Sequence, residues 1–215
     1  MKITHVRTIV IDAHRTNWVL VKIETDAGIS GIGEATVERR EQAVVQTVEA
    51  IANYLVGKDP FPVEHHARTI TRDSYWRTGV INRSALSGIE AALWDIKGKA
   101  LGVPVYELLG GKSRDRVAVY GNNWPPAQGI QGASCFIEAL QKPLDLGFKA
   151  LKWGPFGKTW LQMAKVEKNA AIDEIAAARR HAGCDIDLMI EGHGRLDLPT
   201  AIEVANRMAE FDPLF

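Results

Sequence analysis

Beyond Lys112 the chain settles into one rhythm: candidate strands at 117–120, 149–153 and 186–191, starting about 32 and 37 residues apart, with helical patterns between them at 132–146 and 166–181. Strands spaced this way cannot close through hairpins. Each must return over a helical crossover, which makes them parallel and predicts an α/β sheet covered by helices. A third helix is expected at 198–210, and Phe211-Asp212-Pro213-Leu214-Phe215 reads as a turn into a further strand. A closed (β/α)8 barrel takes roughly 250 residues, whereas only about 100 follow Lys112. The expectation is therefore the first three to four units of a TIM-type barrel, incomplete, with the sequence stopping inside the fold.

The first 112 residues follow a different plan. Alternating β-branched residues at 3–12 and 18–25, joined through Asp26-Ala27-Gly28, predict two antiparallel strands. At 31–35 glycines alternate with other residues, as a third strand would if helix or backbone packed closely on it. Apolar residues then recur at three and four, predicting helices at 40–55, 63–74 and 83–100, the last apolar on most sides and so buried, with Trp94 in the core. The reading is an α+β domain over 1–112 followed by the partial α/β barrel over 113–215.

Charge excludes several functions. Twenty-six Lys and Arg balance twenty-six Asp and Glu, so no basic face exists for nucleic acid or anionic membrane. No apolar run reaches the roughly 18 residues of a membrane span, and Met1-Lys2-Ile3-Thr4-His5-Val6 lacks the layout of a signal peptide, so a cytoplasmic location is expected. Cys135 and Cys184 have neither metal-site nor disulfide spacing and read as reduced thiols.

The stretch Ala85-Leu86-Ser87-Gly88-Ile89-Glu90-Ala91-Ala92-Leu93-Trp94-Asp95-Ile96-Lys97-Gly98-Lys99-Ala100, continuing through Gly102-Val103-Pro104-Val105-Tyr106 to Leu108-Leu109-Gly110-Gly111, closely resembles a signature of the mandelate racemase / muconate lactonizing branch of the enolase superfamily. The likeness runs over the whole chain. It implies an α+β capping domain before a modified TIM barrel, Mg²⁺ as cofactor, and abstraction of the proton α to a carboxylate. Such chemistry needs fixed positive charge beside the developing dianion, and Mg²⁺ asks for an octahedron of oxygens.

Residue by residue, Asp187-Leu188-Met189-Ile190-Glu191-Gly192-His193-Gly194-Arg195 resembles the Asp-x-His-x-Arg strand of acid-sugar dehydratases of the galactonate and mannonate type. The resemblance makes Glu191 a metal ligand and His193 the general acid for the departing hydroxide. Glu replaces the usual Asp, and its extra methylene moves the ligating oxygens by about 1 Å or more. Side chains two apart share a strand face, so Glu191 and His193 are expected at the barrel mouth while Leu188 and Ile190 meet the helices. On the preceding strand the family's Lys-x-Lys pair appears as Lys152-Trp153-Gly154. Without the second lysine, racemization by two opposed bases is disfavoured, and Lys152 is expected to steady the substrate carboxylate. Asn122 or Asn123, ending the first barrel strand, and Trp18 with Asn17, in the loop that closes over substrate in the family, are further candidates for substrate contact; 75–79 is placed like a second specificity loop.

Taken without the resemblance, Glu-x-His at a strand end is an ordinary solvated pair and Lys152 a lysine reaching solvent. His5, His14, His65, His66 and His181 read as surface or satisfied polar residues, and Glu34, Asp95 and Asp187 as structural. The function expected is a Mg²⁺-dependent dehydratase of an aldonate-type sugar acid, giving a 2-keto-3-deoxy acid, homo-oligomeric in the intact parent. Two alternatives stand beside it: a non-catalytic truncated fragment of such an enzyme, because one metal ligand of three is present, and a racemase or epimerase of the same superfamily. A doubly wound nucleotide-binding domain fits poorly, since no phosphate-binding glycine fingerprint follows Tyr120.

Overall fold

The computed structural model describes residues 1–14, 16–122, 124–125 and 133–215. They form two compact units, Met1–Asp115 and Arg116–Phe215, so the division falls three residues beyond Lys112.

In the first unit β1 (Ile3–Asp12), β2 (Asn17–Thr25) and β3 (Ser30–Glu34) make an antiparallel sheet in chain order. Alternation along β2 turns Val19, Val21 and Ile23 inward, where they are wholly buried. They pack with Val44, Val48 and Leu55 of α1 (Glu41–Leu55), with Val63 at the start of α2 (Val63–Asp73), and with Ala85, Ile89, Ala92, Leu93 and Ile96 of α3 (Val80–Leu101). A four-residue helix, α4 (Val105–Leu108), follows. The third helix starts three residues before the expected 83, because exposed Val80 adds a turn without extending the apolar stripe. It ends where Gly102, at φ +69°, returns its N–H to the carbonyls of Gly98 and Lys99. Trp94 is half-buried at the rim of the core, under the Lys97 ammonium 5.2 Å from its ring, and so does not sit inside the core as expected.

Two polar residues are structural here. Asp95 Oδ2 accepts from the Ile32 N–H at 2.9 Å and from Lys99 Nζ at 2.6 Å, which fixes β3 to α3. His66 is 2% exposed; its Nε2 faces the Asp59 carbonyl at 2.7 Å, an atom that can only accept, so Nε2 carries the proton and Nδ1 accepts from the Tyr54 hydroxyl at 3.1 Å.

In the second unit β4 (Ala150–Trp153) and β5 (Asp187–Ile190) pair in parallel, with Lys152 opposite Met189. They alternate with α5 (Ala133–Asp145), α6 (Lys165–Ala182) and α7 (Leu198–Met208). Leu151, Trp153, Leu188 and Ile190 point to the helix side and pack with Ile175, Ala178 and Val204. Each large side chain so buried contributes about 1.5–3 kcal/mol. The strand expected at 117–120 does not form. Val117 and Val119 are exposed, and only Gly121 pairs, giving its N–H to Ala150 and its carbonyl to the Lys152 N–H. On the opposite edge Leu214 N–H donates to the Leu188 carbonyl and Ile190 N–H to that of Phe215. The two strands thus lie between a single bridged residue, Gly121, and the Leu214-Phe215 segment, in chain order. Arg179 ties the approach to β5 to the segment before Leu214, donating to the carbonyls of Gly183, Ile186, Phe211 and Asp212.

Glu174 of α6 accepts from the Trp153 indole N–H at 2.8 Å. Burial pushes its carboxyl pKa up, against the lowering effect of that hydrogen bond. A raised folded-state pKa means stability that is full below the unfolded carboxyl range and lost as pH rises through the folded value. Glu174→Gln, which keeps an accepting oxygen, is expected to raise the melting temperature of this unit at pH 7 and leave it unchanged at pH 4; thermal melts at the two pH values check this.

Candidate active site

The functional candidates of the second unit converge at the C-terminal ends of its parallel strands. On β4 the parity that sends Leu151 and Trp153 to the helices sends Ala150 and Lys152 to the other face. The parallel register sets Met189 opposite Lys152, so Glu191, two residues further, is its diagonal neighbour on that face. Lys152 Nζ lies 2.8 Å from Glu191 Oε2, and the two side chains are only 18% and 28% exposed. Nζ also sits 5.5 Å from the centre of the Tyr120 ring.

His193 joins from the turn beyond β5. Its backbone is left-handed at φ +51°, Gly194 follows at +63°, and its N–H donates to Glu191 Oε1 at 2.9 Å. Non-glycine residues hold this conformation only where surrounding contacts enforce it. The turn brings the imidazole back toward the carboxylate, with Nδ1 3.9 Å from Oε1. Gly154, next along from Trp153, faces the same turn: a Cβ there would lie 2.9 Å from the Glu191 carbonyl oxygen and 3.9 Å from His193 Cδ2 and Nε2. Arg195 does not join the group. Its guanidinium donates to the Gly157 carbonyl at 2.8 Å and its own carbonyl accepts from the Leu161 N–H at 2.6 Å, while the Asp197 N–H donates to the Leu161 carbonyl, so Arg195 closes the loop after β4 onto that after β5.

The electrostatics follow from these contacts. The hydrogen bond from Lys152, helped by that from the His193 N–H, holds the Glu191 carboxyl below the usual carboxylate range. The same contact with Glu191 holds the Lys152 ammonium above its ordinary value. The Glu191 charge is lost only as pH falls through its lowered pKa and that of Lys152 only as pH rises through its raised one, so the pair stays ionised across the neutral range.

The remaining candidates are dispersed. Asn122 is exposed, one residue beyond the Gly121 that pairs with β4, and Asn123 lies outside the described residues. Asn17 and Trp18 open β2 in the first unit, Trp18 half-exposed and paired with Ile11. Tyr75 and Trp76 are exposed in edge-to-face contact, with Trp76 and Arg77 at the rim of a cleft of about 540 Å³ between α1, α2 and α3. Tyr120 is the contact that sequence reasoning missed, although its place at the end of an expected strand was the available signal.

Chemically, the group offers a carboxylate, an ammonium and an imidazole at one strand end. It does not by itself make a Mg²⁺ site. Among the described residues no three His, Cys, Asp or Glu side chains converge as metal ligands, and both Glu191 oxygens already accept hydrogen bonds.

Residues 2–110 match the family described as mandelate racemase / muconate lactonizing enzyme, N-terminal domain, and residues 136–215 match enolase C-terminal domain-like. D-galactonate dehydratase of Xanthomonas oryzae pv. oryzae is 40% identical over 198 residues, 92% of this chain and 50% of that protein. D-galactonate dehydratase of Variovorax paradoxus is 38% identical over 215 residues, 100% of this chain and 54% of the relative. The chain thus spans about half the length of the curated relatives it matches. Among solved structures, a protein from Mesorhizobium loti, whose assignment as a dehydratase is itself provisional, superposes with TM-score 0.94 at 37% identity, covering 100% of this chain and 59% of that one. A member of the enolase superfamily from Salmonella Typhimurium gives 0.91 at 29% identity, covering 99% and 60%. Among the described residues no helix is long and apolar enough to cross a membrane.

Proposed function

Because this chain belongs to the mandelate racemase / muconate lactonizing enzyme family of the enolase superfamily, we propose that its strand-end group serves the dehydration of a sugar acid of the galactonate type. The observation that carries this is the convergence of Lys152, Glu191 and His193 on one strand face, with Gly154 where a second lysine would stand. A general base other than Lys152, Glu191 and His193 takes the C2 proton, the freed electron pair moves into the C2–C3 bond, and the C3–O bond breaks. His193, as general acid, gives a proton to the departing hydroxyl, so that water leaves, and the enol tautomerises to a 2-keto-3-deoxy acid. Lys152, already cationic, pairs with the substrate carboxylate. Glu191 would be one ligand of a Mg²⁺ ion, whose charge, when bound, would offset that developing on the carboxylate.

The relatives named D-galactonate dehydratase favour this reading over racemization. So does Gly154, since it removes the side-chain base that β4 would bring to a two-base mechanism. A second reading rests on one observation: the described residues provide a single metal-ligating carboxylate at the site. In that reading these 215 residues bind sugar acid but do not turn it over without further groups.

The test is incubation with D-galactonate and its C2 and C3 epimers, with Mg²⁺ or with EDTA. Formation of a 2-keto-3-deoxy acid that EDTA abolishes supports dehydration. Inversion at C2 without loss of water overturns it in favour of the racemase, and carboxylate binding without either reaction supports the second reading. Lys152→Ala is expected to raise KM, or the binding constant for the acid, roughly ten- to hundredfold, the worth of a charge-assisted hydrogen bond, with a smaller change in kcat.

A further inference from the structure

We infer that Gly154 is a positioning residue: its missing side chain is the space into which the Glu191–His193 turn folds, so a side chain from the end of β4 and the imidazole of His193 cannot both occupy this strand end. The inference deepens the reading of His193 as general acid, and its functional consequence rests on that reading, while its geometric core does not.

Three observations converge. Lys152 and position 154 share one face of the strand, so any side chain at 154 is directed toward the group that Lys152 already contacts. A Cβ at 154 would meet the Glu191 carbonyl oxygen at 2.9 Å, which is backbone and cannot swing away as a side chain does. The next nearest atoms are Cδ2 and Nε2 of His193, both 3.9 Å off, so the Cβ itself would already touch the imidazole and a longer side chain would compete with it for the same space. The turn has little freedom to retreat. The Glu191 N–H is bonded to the Trp153 carbonyl at 2.8 Å, the His193 N–H to the Glu191 carboxylate, and His193 and Gly194 are both left-handed. No left-handed backbone requirement is recorded for Gly154, unlike many other glycines of the chain, so space selects glycine there.

The consequence concerns reaction choice. A lysine at 154 would put a side-chain base at this strand end and displace the imidazole from it. An imidazole there requires 154 to be empty. The pairing of Lys-x-Gly on β4 with Glu-x-His after β5 is therefore one steric decision, made at two places in the sequence.

The first test needs no substitution. In the unmutated chain one Gly154 Hα lies along the Cβ direction, and a nuclear Overhauser contact from it to His193 Hδ2 is expected; its absence overturns the inference. The second uses Gly154→Ala and Gly154→Lys. Both are expected to shift the His193 ring signals and the Glu191 amide while leaving the Trp18 and Trp94 indole signals of the other unit in place. In a preparation that dehydrates a sugar acid, Gly154→Ala is expected to lower kcat by about 10²-fold, the scale of an ångström of misplacement, with KM little changed. Unchanged His193 signals overturn the inference even if the protein is active. Moved signals with unchanged kcat uphold the geometry and overturn the role of His193 as acid. Should either variant unfold the second unit, the Overhauser contact decides.

Discussion

Gly33→Ala is expected to destabilise the first unit by at least about 3 kcal/mol, the upper range for forcing extra volume into a closed core. An alanine Cβ at 33 would lie 2.0 Å from the Gly88 carbonyl oxygen and 2.9 Å from the backbone nitrogen of Ala92. Gly31, two residues earlier on the same face, would drive its Cβ to 2.0 Å from the Ala92 carbonyl. From the other side, Gly88 would meet the Ala35 Cβ at 2.7 Å. Strand and helix thus touch backbone to backbone over about one turn, from Gly88 to Ala92, and none of these atoms can rotate away. Relief requires α3 to lift from β3, which breaks the Asp95 bond to Ile32 and opens the packing of Ile89, Leu93 and Ile96. For a domain whose whole stability is about 5–15 kcal/mol, that is a large fraction. Gly28→Ala is the control: Gly28 has φ +74° with no atom near a Cβ, so its cost is conformational alone, about 1–2 kcal/mol. Denaturant melts of the two variants, read by hydrogen exchange at β2 and α3, should separate them; equal losses would sink the packing account.

How far such contacts are legible depends on what sets them. The alternation of glycines at 31 and 33 pointed to close approach before any partner was known, because only a missing Cβ makes sense of it inside a strand. The inward residues of β2 and the helix-facing Leu188 and Ile190 followed from periodicity, since burial repeats with the pleat. The expected strand at 117–120 failed for the converse reason: Val117 and Val119 have β propensity, yet propensity makes no strand without a neighbour, and only Gly121 reaches β4. At the site, parity was the reason for expecting Glu191 and His193 on one face, but β5 ends at Ile190 and a left-handed turn, not the pleat, brings His193 beside the carboxylate. The ion pair of Lys152 with Glu191 was not readable, because it depends on the register that sets Met189 opposite Lys152, and register is fixed by packing between strands 35 residues or more apart. The left-handed turn at His193 was equally hidden, since histidine does not announce positive φ as glycine does. Trp18 was chosen from the family's loop and lies in the other unit, where its exposure alone assigns it no partner.

His193→Asn is the substitution with the largest expected effect on chemistry. The proposed acid acts late: the C2 proton has already left when the C3 oxygen needs one. Asparagine keeps a polar side chain near the carboxylate and preserves the backbone N–H that bonds Glu191, and it tolerates the left-handed conformation better than most residues. It cannot donate a proton to a departing hydroxide. In a preparation that dehydrates a sugar acid, kcat is therefore expected to fall by about 10²–10⁴-fold, the usual contribution of general acid catalysis, with KM nearly unchanged because Lys152 still holds the carboxylate. Proton removal from C2 should survive. In deuterium oxide the variant should then exchange the C2 hydrogen of the substrate faster than it loses water, a separation that damage to the whole strand end would not produce. Loss of exchange and dehydration together would make His193 part of the proton-abstracting machinery or a structural residue. Full dehydration in the variant would move the acid to another group and leave His193 as the side chain that the glycine at 154 merely accommodates.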